Sequence, residues 1–375
     1  MTKKELIRMI AFGLVVCLML GFLCDLFENE NHKNYDSRVY TYRTLEKNTV
    51  DAVFIGTSGV DRYWVAPKMY EDYGMVVYPL AVDGMPAWLY KEMLEYALQY
   101  QNPELVMLDI RAFTQDASMD GWKSKDMDIK AHRVLNAFPW FSPLWLRTAF
   151  KAMRLVHQAD ETEPRFNISL LLSFVRFHQK WQEIGLSVFE ENLGSKIHEF
   201  GGFYMHPGKS AVSVPLEDFV YDGDTKQELD PICEEAFYEV IDYARERGVE
   251  ILFVDTPQNP AKHEMLRANY IYEKLDELGI NYVTYYAPGD EEHPFTIDLD
   301  PETDFYNDSH TNYFGAVKFS EVLATYLDEN YDLPDRRNDP AVAVYWDGIQ
   351  DRIEELIAYY LEHPPVETDM EDEEE

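Results

Sequence analysis

The sequence has few basic residues and few cysteines. Its 375 residues include 33 Lys and Arg against 69 Asp and Glu, which gives a formal net charge of −36 at pH 7. Because nucleic-acid binding needs a positive surface to meet the phosphates, this balance excludes nucleic acid as a partner. The three cysteines are Cys17, Cys24 and Cys233, and they do not form a disulfide framework.

Motifs that mark cofactor chemistry are missing as well. No Cys/His cluster has the spacing of a zinc site, and no Gly-rich loop has the form that cradles phosphates. The acidic segment 298–304 alternates carboxylates as calcium loops do, but it lacks their turn glycine and their closing glutamate. The sequence therefore predicts neither a metal nor a cofactor.

The N-terminus carries a long apolar run. Residues 9–24 contain no charged side chain, Lys3, Lys4 and Arg8 precede them, and Asp25 follows. With its apolar neighbours the run reaches the roughly 20 residues that a helix needs to span a bilayer. The positive-inside rule then places the N-terminus in the cytoplasm and the rest of the chain outside. No small-residue cleavage site follows the run, so an uncleaved anchor is favoured over a signal peptide.

Beyond the anchor, apolar stretches alternate with stretches of helical periodicity. The predicted strands are 52–55, 75–80, 104–110, 249–254 and 282–286. Nearly continuous apolar strands that alternate with helices are typical of a parallel sheet covered on both faces. An aromatic content of 14% supplies a substantial core. The sequence therefore predicts an α/β fold.

The alternation stops between about 112 and 230, where Trp- and Phe-rich segments with helical periodicity, 142–157 and 168–184, predict a largely helical insertion. Much of the chain's scarce positive charge lies there, at Arg147, Lys151, Arg154, Arg176 and Lys180. These side chains form either an ordinary solvated helix face or a basic surface near the membrane or over the site. The expected organisation is a cytoplasmic tip and anchor at 1–24, a stalk at 25–50 that packs loosely on the domain, the α/β domain at 51–335 and a C-terminal helix with an acidic tail at 336–375. Residues 331–350 are expected to be loop.

Two polar stretches far apart in the chain carry candidate chemistry. The first strand ends in Gly-Thr-Ser58, at the sheet edge where open α/β folds place their sites. A later loop, Asn307-Asp-Ser-His310, precedes the last helix of the predicted α/β domain. A serine hydroxyl is a weak nucleophile until a base takes its proton, and His is the usual base near neutral pH. Ser58 and His310 are therefore the candidate pair, and a Gly-Ser turn with an unrelated surface histidine is the alternative.

Three blocks of sequence and one absence together resemble a known family. The blocks are Phe54-Ile-Gly56-Thr-Ser58, Leu80-Ala-Val-Asp-Gly84 and 304–316, and the absent motif is the G-x-S-x-G elbow. They resemble the SGNH (GDSL-like) hydrolase superfamily, in the membrane-anchored bacterial branch of D-alanyl-transfer and alginate-type O-acetyltransferase proteins. The resemblance covers about 50–330 without the insertion, and it implies a flavodoxin-like three-layer α/β/α sandwich with a parallel sheet.

The resemblance also implies roles for single residues. Ser58 is the nucleophile, His310 is the base, and the backbone N–H groups of Ser58 and Gly84 form the oxyanion hole. A glycine at this place lets the backbone approach the substrate closely, where its N–H can meet the developing negative charge.

The sequence departs from the family pattern beside the histidine. The family usually has Asp three residues before the catalytic His, and this chain has Asn307 there. An Asn can orient the ring but stabilises imidazolium less than a carboxylate does. Asp308 is the preferred orienting residue, with Asn307 and Asp304 as alternatives.

A second departure concerns the third predicted strand, which ends in Asp109-Ile-Arg111 rather than in Gly-x-Asn-Asp. The side-chain donor that the family places there is therefore unassigned. Arg111 either takes that place or is a structural, salt-bridged arginine. Gln258 and Asn259 follow the fourth strand and are expected to line the pocket.

The expected function is a membrane-anchored serine acyl-esterase or O-acyltransferase. It would act on a cell-envelope glycan or acylated polymer, outside the bacterial plasma membrane. A transferase on that side needs acyl groups brought across the bilayer, so a multi-span acyl-transport protein is an expected partner. The alternative is a non-catalytic envelope protein that keeps the fold for glycan binding or complex assembly, and Asn307 favours it.

Overall fold

The computed structural model describes residues 1–27, 33–115, 124–159, 164–182, 196–208, 223–287 and 294–363. The chain forms two compact units. One unit, which we call the helical unit, consists of Met1–Thr41 and Ser118–Ile197. The other, the sheet unit, consists of Tyr42–Ala117 and His198–Glu375.

The sheet unit contains a five-stranded parallel sheet. Its strands are β1 Ala52–Gly56, β2 Val77–Ala81, β3 Leu105–Asp109, β4 Glu250–Asp255 and β5 Asn281–Thr284. They lie in the order β2-β1-β3-β4-β5, and each neighbouring pair is parallel. All residues of β1, β2 and β3 are buried, in keeping with their nearly continuous apolar sequence. The predicted α/β fold with a parallel sheet is confirmed.

Helices connect and follow these strands. In chain order they are α1 Lys3–Leu26, α2 Lys33–Thr44, α3 Ser58–Asp61, α4 Ala66–Tyr73, α5 Tyr90–Tyr100, α6 Arg111–Thr114, α7 Ser124–Ala137, α8 Pro143–Ala159, α9 Ser173–Phe177, α10 Pro231–Arg247, α11 Lys262–Leu278, α12 Tyr313–Asn330, α13 Pro340–Trp346 and α14 Ile349–Glu362. A short antiparallel hairpin, β6 Phe305–Asn307 and β7 His310–Thr311, precedes α12.

Local sequence signals explain where several helices begin and end. Helix α10 starts after Asp230, whose side chain accepts a hydrogen bond from the Ile232 N–H. It ends at Gly248, whose φ of 67° is open to glycine at little cost. Helix α4 likewise has Pro67 in its first turn and ends at Gly74 with a φ of 78°.

Three segments differ from the sequence expectation. Residues 331–350 were expected as loop, yet they contain α13, which begins where the Asp339 side chain accepts from the Ala341 N–H. The expected stalk 25–50 contains α2, and its Tyr42 is fully buried with its hydroxyl donating to the Ala97 carbonyl. The end of that segment is therefore folded into the sheet unit rather than loosely packed.

The expected insertion also has different limits. Its part after Ile197 belongs to the sheet unit, where Phe203 is buried in a cluster with Val65 and Ala316. Within the helical unit, the described part of the segment 168–184 ends at residue 182, and it forms the short α9 with a 3₁₀ turn on either side, Ile168–Leu170 and His178–Gln182.

The helical unit contains the apolar N-terminal helix. Residues Lys3–Cys24 of α1 have a mean hydropathy of 2.5, and the apolar window is unburied within the structure. Its length and composition allow α1 to cross a membrane.

Candidate active site

Ser58, the candidate nucleophile, occupies a tight turn at the carboxyl end of β1, residues 57–61, which we call the nucleophile turn after that candidate role. Thr57 caps α3, because its hydroxyl accepts a hydrogen bond from the Gly59 N–H, and Ser58 is the first residue of that helix. The same hydroxyl donates to Asp109 Oδ2 at the end of β3, at 3.1 Å. These contacts fix Ser58 at the edge of the sheet, where it is half-buried.

Two glycines allow this turn to pack closely on its neighbours. A Cβ added at Gly56 would lie 2.6 Å from the Cβ of Asp109, and one added at Gly59 would lie 2.9 Å from the Thr256 hydroxyl. Real Cβ atoms do not tolerate contacts this short, so both positions require glycine.

His310 is delivered by the β6–β7 hairpin. Asn307 and His310 face each other across its tight turn. The hairpin leads directly into α12, which Asn312 caps by accepting from the N–H groups of Phe314 and Gly315. Asp304, just before the hairpin, accepts from Lys318 Nζ at 2.6 Å and from the Asp300 N–H. The loop is therefore tied to the start of the helix that follows it.

The two stretches meet in a hydrogen-bonded array. His310 Nε2 lies 2.8 Å from Ser58 Oγ, although the two residues are 252 positions apart. His310 Nδ1 lies 2.9 Å from Asn307 Oδ1. That oxygen also accepts from the Ser309 N–H, so it serves as an acceptor toward His310. Nδ1 then carries the ring proton, and Nε2 is left to accept the proton of Ser58.

The orienting residue on His310 is therefore Asn307, one of the three candidates. Asp308 was preferred from the sequence, but the Nδ1 position is taken by the Asn307 amide oxygen. The reason is the hairpin register, which sets Asn307 opposite His310 and leaves Asp308 in the turn between them. Asp304 is engaged with Lys318 instead.

The surroundings keep His310 neutral. Burial, and next the positive charges of Arg62 and Arg111, hold the pKa of His310 well below its usual value, against a smaller opposing effect of Asp83. The group that accepts at Nδ1 is the neutral amide of Asn307, which adds no negative charge to oppose this shift. A neutral imidazole is the form that can accept a proton from a serine hydroxyl.

Arg62 joins the three segments that surround the pair, and the sequence did not single it out. Its guanidinium contacts Asp83 at 2.7 Å and Asp61 at 3.3 Å, and its Nε donates to the Tyr306 hydroxyl at 2.6 Å. It also lies 4.4 Å from the centre of the Tyr204 ring. Arg62 thus connects the nucleophile turn, the loop after β2 and the hairpin. Its position one residue beyond α3 carries no motif that could have revealed this role.

The ring of His310 is part of an aromatic stack. Tyr306 lies nearly parallel to His310, with ring centres 5.6 Å apart, and to His206 on another segment, with ring centres 3.9 Å apart. His206 is half-buried within this stack. Only the fold brings it there, because its sequence neighbours carry no catalytic pattern.

The residues expected to form the oxyanion hole lie in adjacent loops. Gly84 follows β2 and has a φ of 63°. Its loop is held to β1 by the Val82 N–H, which donates to the Gly56 carbonyl, and to the nucleophile turn by Asp83 through Arg62. Within the described residues, the backbone N–H groups of Ser58 and Gly84 have no hydrogen-bond acceptor. Both donors are thus available to a ligand.

Arg111 contacts the histidine hairpin. Its Nη1 lies 3.5 Å from the Ser309 carbonyl, which also accepts from the Tyr63 hydroxyl at 3.1 Å. Its backbone N–H donates to Asp109 Oδ1. The structural salt bridge that was one expectation for Arg111 is not among its contacts in the described part of the chain.

Gln258 and Asn259 lie in the loop after β4, as expected, without a hydrogen bond to Ser58 or His310. Gln258 is buried, its N–H donates to the Tyr286 hydroxyl, and its side-chain oxygen has no partner in the described residues. Asn259 is half-buried. The residue of this loop that touches the nucleophile turn is Thr256, through Gly59.

Two buried carboxyl groups lie beneath the site at the ends of β3 and β4. Burial raises the pKa of Asp109. Burial, opposed by a hydrogen bond from Tyr272 and reinforced by the charge of Asp109, raises the pKa of Asp255 to about 7. Among the residues that the structure describes, no group of three or more His, Cys, Asp or Glu side chains is placed to hold a metal ion.

Comparison with known proteins adds no relative: no family model matches the chain, and no curated protein matches it.

Proposed function

We propose that this protein is a serine acyl-esterase or O-acyltransferase of the SGNH type. The observation that carries the proposal is the array of Ser58, His310 and Asn307, joined by contacts of 2.8 and 2.9 Å. A nucleophile, a base and a group that orients the base are the three parts that activate a serine hydroxyl. The uncommitted N–H groups of Ser58 and Gly84 supply the remaining requirement, a place for the oxyanion.

In the proposed reaction, Ser58 Oγ attacks the carbonyl carbon of an acyl ester while its proton passes to His310 Nε2. The tetrahedral oxyanion accepts hydrogen bonds from the Ser58 and Gly84 amides, and Arg111 adds positive charge nearby. The carbon–oxygen bond to the leaving alcohol breaks as His310 returns the proton to that alcohol, which leaves an acyl-serine. Water or a sugar hydroxyl then gives its proton to His310 and attacks the acyl-serine carbonyl. The bond from the acyl carbon to Ser58 Oγ breaks as His310 returns the proton to Oγ, so hydrolysis and transfer share one intermediate.

The fold supports this assignment. The strand order 2-1-3-4-5 is that of flavodoxin-like doubly wound sheets, and we propose the three-layer α/β/α form of that architecture for the sheet unit. In such sheets ligands bind beyond the carboxyl ends of the strands, which is where Ser58 lies.

We further propose that α1 is an uncleaved single-pass anchor in a bacterial plasma membrane, with the sheet unit outside. The support is the helix Lys3–Cys24, which carries Lys3, Lys4 and Arg8 in its first two turns, then the uncharged run 9–24, and is followed by acidic residues. A cell-envelope glycan or acylated polymer is then the substrate within reach, and a multi-span acyl-transport protein would supply a transferase. Protease added to intact spheroplasts should digest the chain beyond residue 25 and spare an N-terminal tag. A tagged chain that fractionates as soluble would refute the anchor.

The catalytic proposal is tested by acyl turnover. The purified full chain should release the alcohol from an activated acetyl ester, and an added oligosaccharide acceptor should divert acetyl to sugar if the enzyme is a transferase. Ser58→Ala should abolish both reactions. Since this change removes one half-buried hydroxyl, the thermal unfolding midpoint should hardly move. Turnover retained by the variant would exclude Ser58 as the nucleophile.

A non-catalytic envelope protein is the second candidate, and Asn307 is the observation that favours it. An amide leaves the imidazolium formed during catalysis without a negative partner. This candidate predicts that glycan binding by the full chain persists in Ser58→Ala and His310→Ala while no ester is turned over by any form.

A further inference from the structure

Helix α8 stands apart from the rest of this acidic chain. Its sequence, PLWLRTAFKAMRLVHQA, contains no Asp or Glu over 17 residues, in a chain with 69 of them. Its exposed side presents Arg147, Phe150 and Arg154, with Lys151 half-exposed beside them. These positions recur at helical spacing, so they form one basic stripe that includes a large apolar side chain.

An aromatic cluster, which we define as Trp140, Phe141 and Trp145, lies at the start of α8. The Trp140 ring centre is 5.0 Å from that of Phe141 and 6.0 Å from that of Trp145, and Phe141 stacks on Trp145. Phe141 has a φ of 65° and is 54% exposed. A bulky residue rarely adopts this conformation, and here it coincides with an exposed ring.

This cluster lies against the end of α1, within the same helical unit. A Cβ added at Gly21 would be 3.0 Å from the Trp140 ring, so the indole rests on the helix backbone there. One turn later, the Ser173 hydroxyl donates to the Cys24 carbonyl at 3.2 Å. The contacts therefore place the aromatic cluster beside Gly21 and the start of α9 beside Cys24, in the last two turns of the apolar helix.

The length of α1 sets the depth of that contact. Its 24 residues, Lys3–Leu26, span about 36 Å at 1.5 Å per residue, against a hydrocarbon core about 30 Å thick. Gly21 and Cys24 then lie within about one turn of the far membrane boundary. Trp and other aromatic side chains are enriched at this depth, where an apolar ring and a polar edge are both accommodated.

We infer that α8 and the aromatic cluster form a membrane-surface site that binds the head groups of anionic phospholipids beside the protein's own anchor. Phe150 and Phe141 enter the interfacial layer, and Arg147, Lys151 and Arg154 meet the phosphates. The inference rests on α1 being an uncleaved anchor, but it is independent of the catalytic proposal. The bilayer is favoured over an acidic protein surface because exposed phenylalanines accompany the charges and α1 fixes the depth.

The test places a photocrosslinker at residue 150. The full chain carrying Phe150→p-benzoylphenylalanine is reconstituted into phosphatidylcholine vesicles with and without phosphatidylglycerol, and adducts are identified by mass spectrometry. The matched control has the same substitution at Val344, which is 90% exposed in the sheet unit. Position 150 should give lipid adducts and position 344 none. An N-terminal tag retained in both samples verifies that the anchor is intact.

Charge recognition is measured in mixed vesicles with phosphatidylglycerol as the minor lipid. Adducts at position 150 should be enriched in phosphatidylglycerol by about fivefold over its share, the effect of one basic group held near the head groups. The triple variant Arg147→Gln, Lys151→Gln, Arg154→Gln should lose the enrichment. The control variant Arg245→Gln, Arg247→Gln, Lys262→Gln removes the same charge from exposed positions of the sheet unit and should keep it.

Each contrary result overturns the inference in a different way. Protein adducts in place of lipid adducts at position 150 would mean that an acidic protein segment covers α8. Lipid adducts of equal yield at Val344, or enrichment lost equally in both triple variants, would mean that the lipid contact is non-specific. None of these measurements uses acyl chemistry, so they give the same answer in a Ser58→Ala background even if the catalytic proposal fails.

Discussion

The substitution Asn307→Asp tests how the site works with an amide in place of a carboxylate. Asn307 Oδ1 lies 2.9 Å from His310 Nδ1 and also accepts from the Ser309 N–H. A carboxylate of nearly the same shape can keep both hydrogen bonds. The change therefore adds one negative charge beside the imidazole and little else, which makes its effect on His310 calculable.

The magnitude follows from Coulomb's law. Two unit charges about 4 Å apart interact by about 4 kcal/mol at an effective dielectric constant of about 20. One pKa unit corresponds to about 1.4 kcal/mol, so the pKa of His310 should rise by up to about three units. In Ser-His-Asp enzymes the reverse change, Asp to Asn, costs about 10⁴ in kcat, which sets the ceiling for the gain. We therefore expect a fluorophosphonate to modify Ser58 at least about tenfold faster in the variant than in the native chain.

The dependence of the modification rate on pH shows in which direction the pKa of His310 moves. Burial and the charges of Arg62 and Arg111 already hold the pKa of His310 well below its usual value, so the base stays neutral in mild acid. The native rate of Ser58 modification should therefore stay level as the pH falls from about 8 through the ordinary pKa of histidine, about 6.5. Asn307→Asp raises the pKa, so its rate should be higher at the plateau and fall as the pH drops through the new value.

Asp308→Asn is the matched control for this experiment. It changes the neighbouring residue in the hairpin turn without touching the acceptor at Nδ1, and it should leave both the plateau and the profile unchanged. If Asp308→Asn slowed the reaction strongly while Asn307→Asp had no effect, Asp308 would be the orienting residue and the assignment of Asn307 would be wrong.

Two further substitutions probe the surroundings of the pair. Arg62→Gln removes an ion-pair partner of Asp61 and Asp83 and a cation near His310, so chemical denaturation should show a loss of about 3 kcal/mol and the acid limb of the pH profile should move to higher pH. An unchanged profile would mean that Arg62 does not act on the histidine. Asp255→Asn addresses a carboxyl group whose pKa of about 7 exceeds its unfolded value, so the native protein should lose stability as the pH rises from about 4 to about 7. The variant should be more stable at pH 8 by up to about 4 kcal/mol and equal near pH 4, and a constant difference across this range would contradict the shift.

The sequence was sufficient for the parts of the fold that depend on local patterns. The five strands were predicted within two residues at each end, because β1, β2 and β3 are short apolar runs buried on both faces. The pair Ser58 and His310 was also predicted from chemistry and strand position. Helix α13 was missed because its seven residues are too few to show helical periodicity.

The remaining parts of the site depend on contacts between distant segments. The orienting residue was decided by the register of a two-residue turn, which places Asn307 rather than Asp308 opposite the ring. Arg62 and His206 have no motif of their own, and they reach the site only because the nucleophile turn and the hairpin meet at Tyr306. Contacts between distant segments follow from tertiary packing, which no local pattern in one sequence encodes.

The central claim is that Ser58 is an activated nucleophile, and the most direct measurement is its labelling by a fluorophosphonate. The purified full chain should form a single covalent adduct, which peptide mass spectrometry should place on Ser58. Labelling should disappear in Ser58→Ala and should slow by at least about 100-fold in His310→Ala, the usual contribution of a general base. An unlabelled native chain, or an adduct on another residue, would contradict the account.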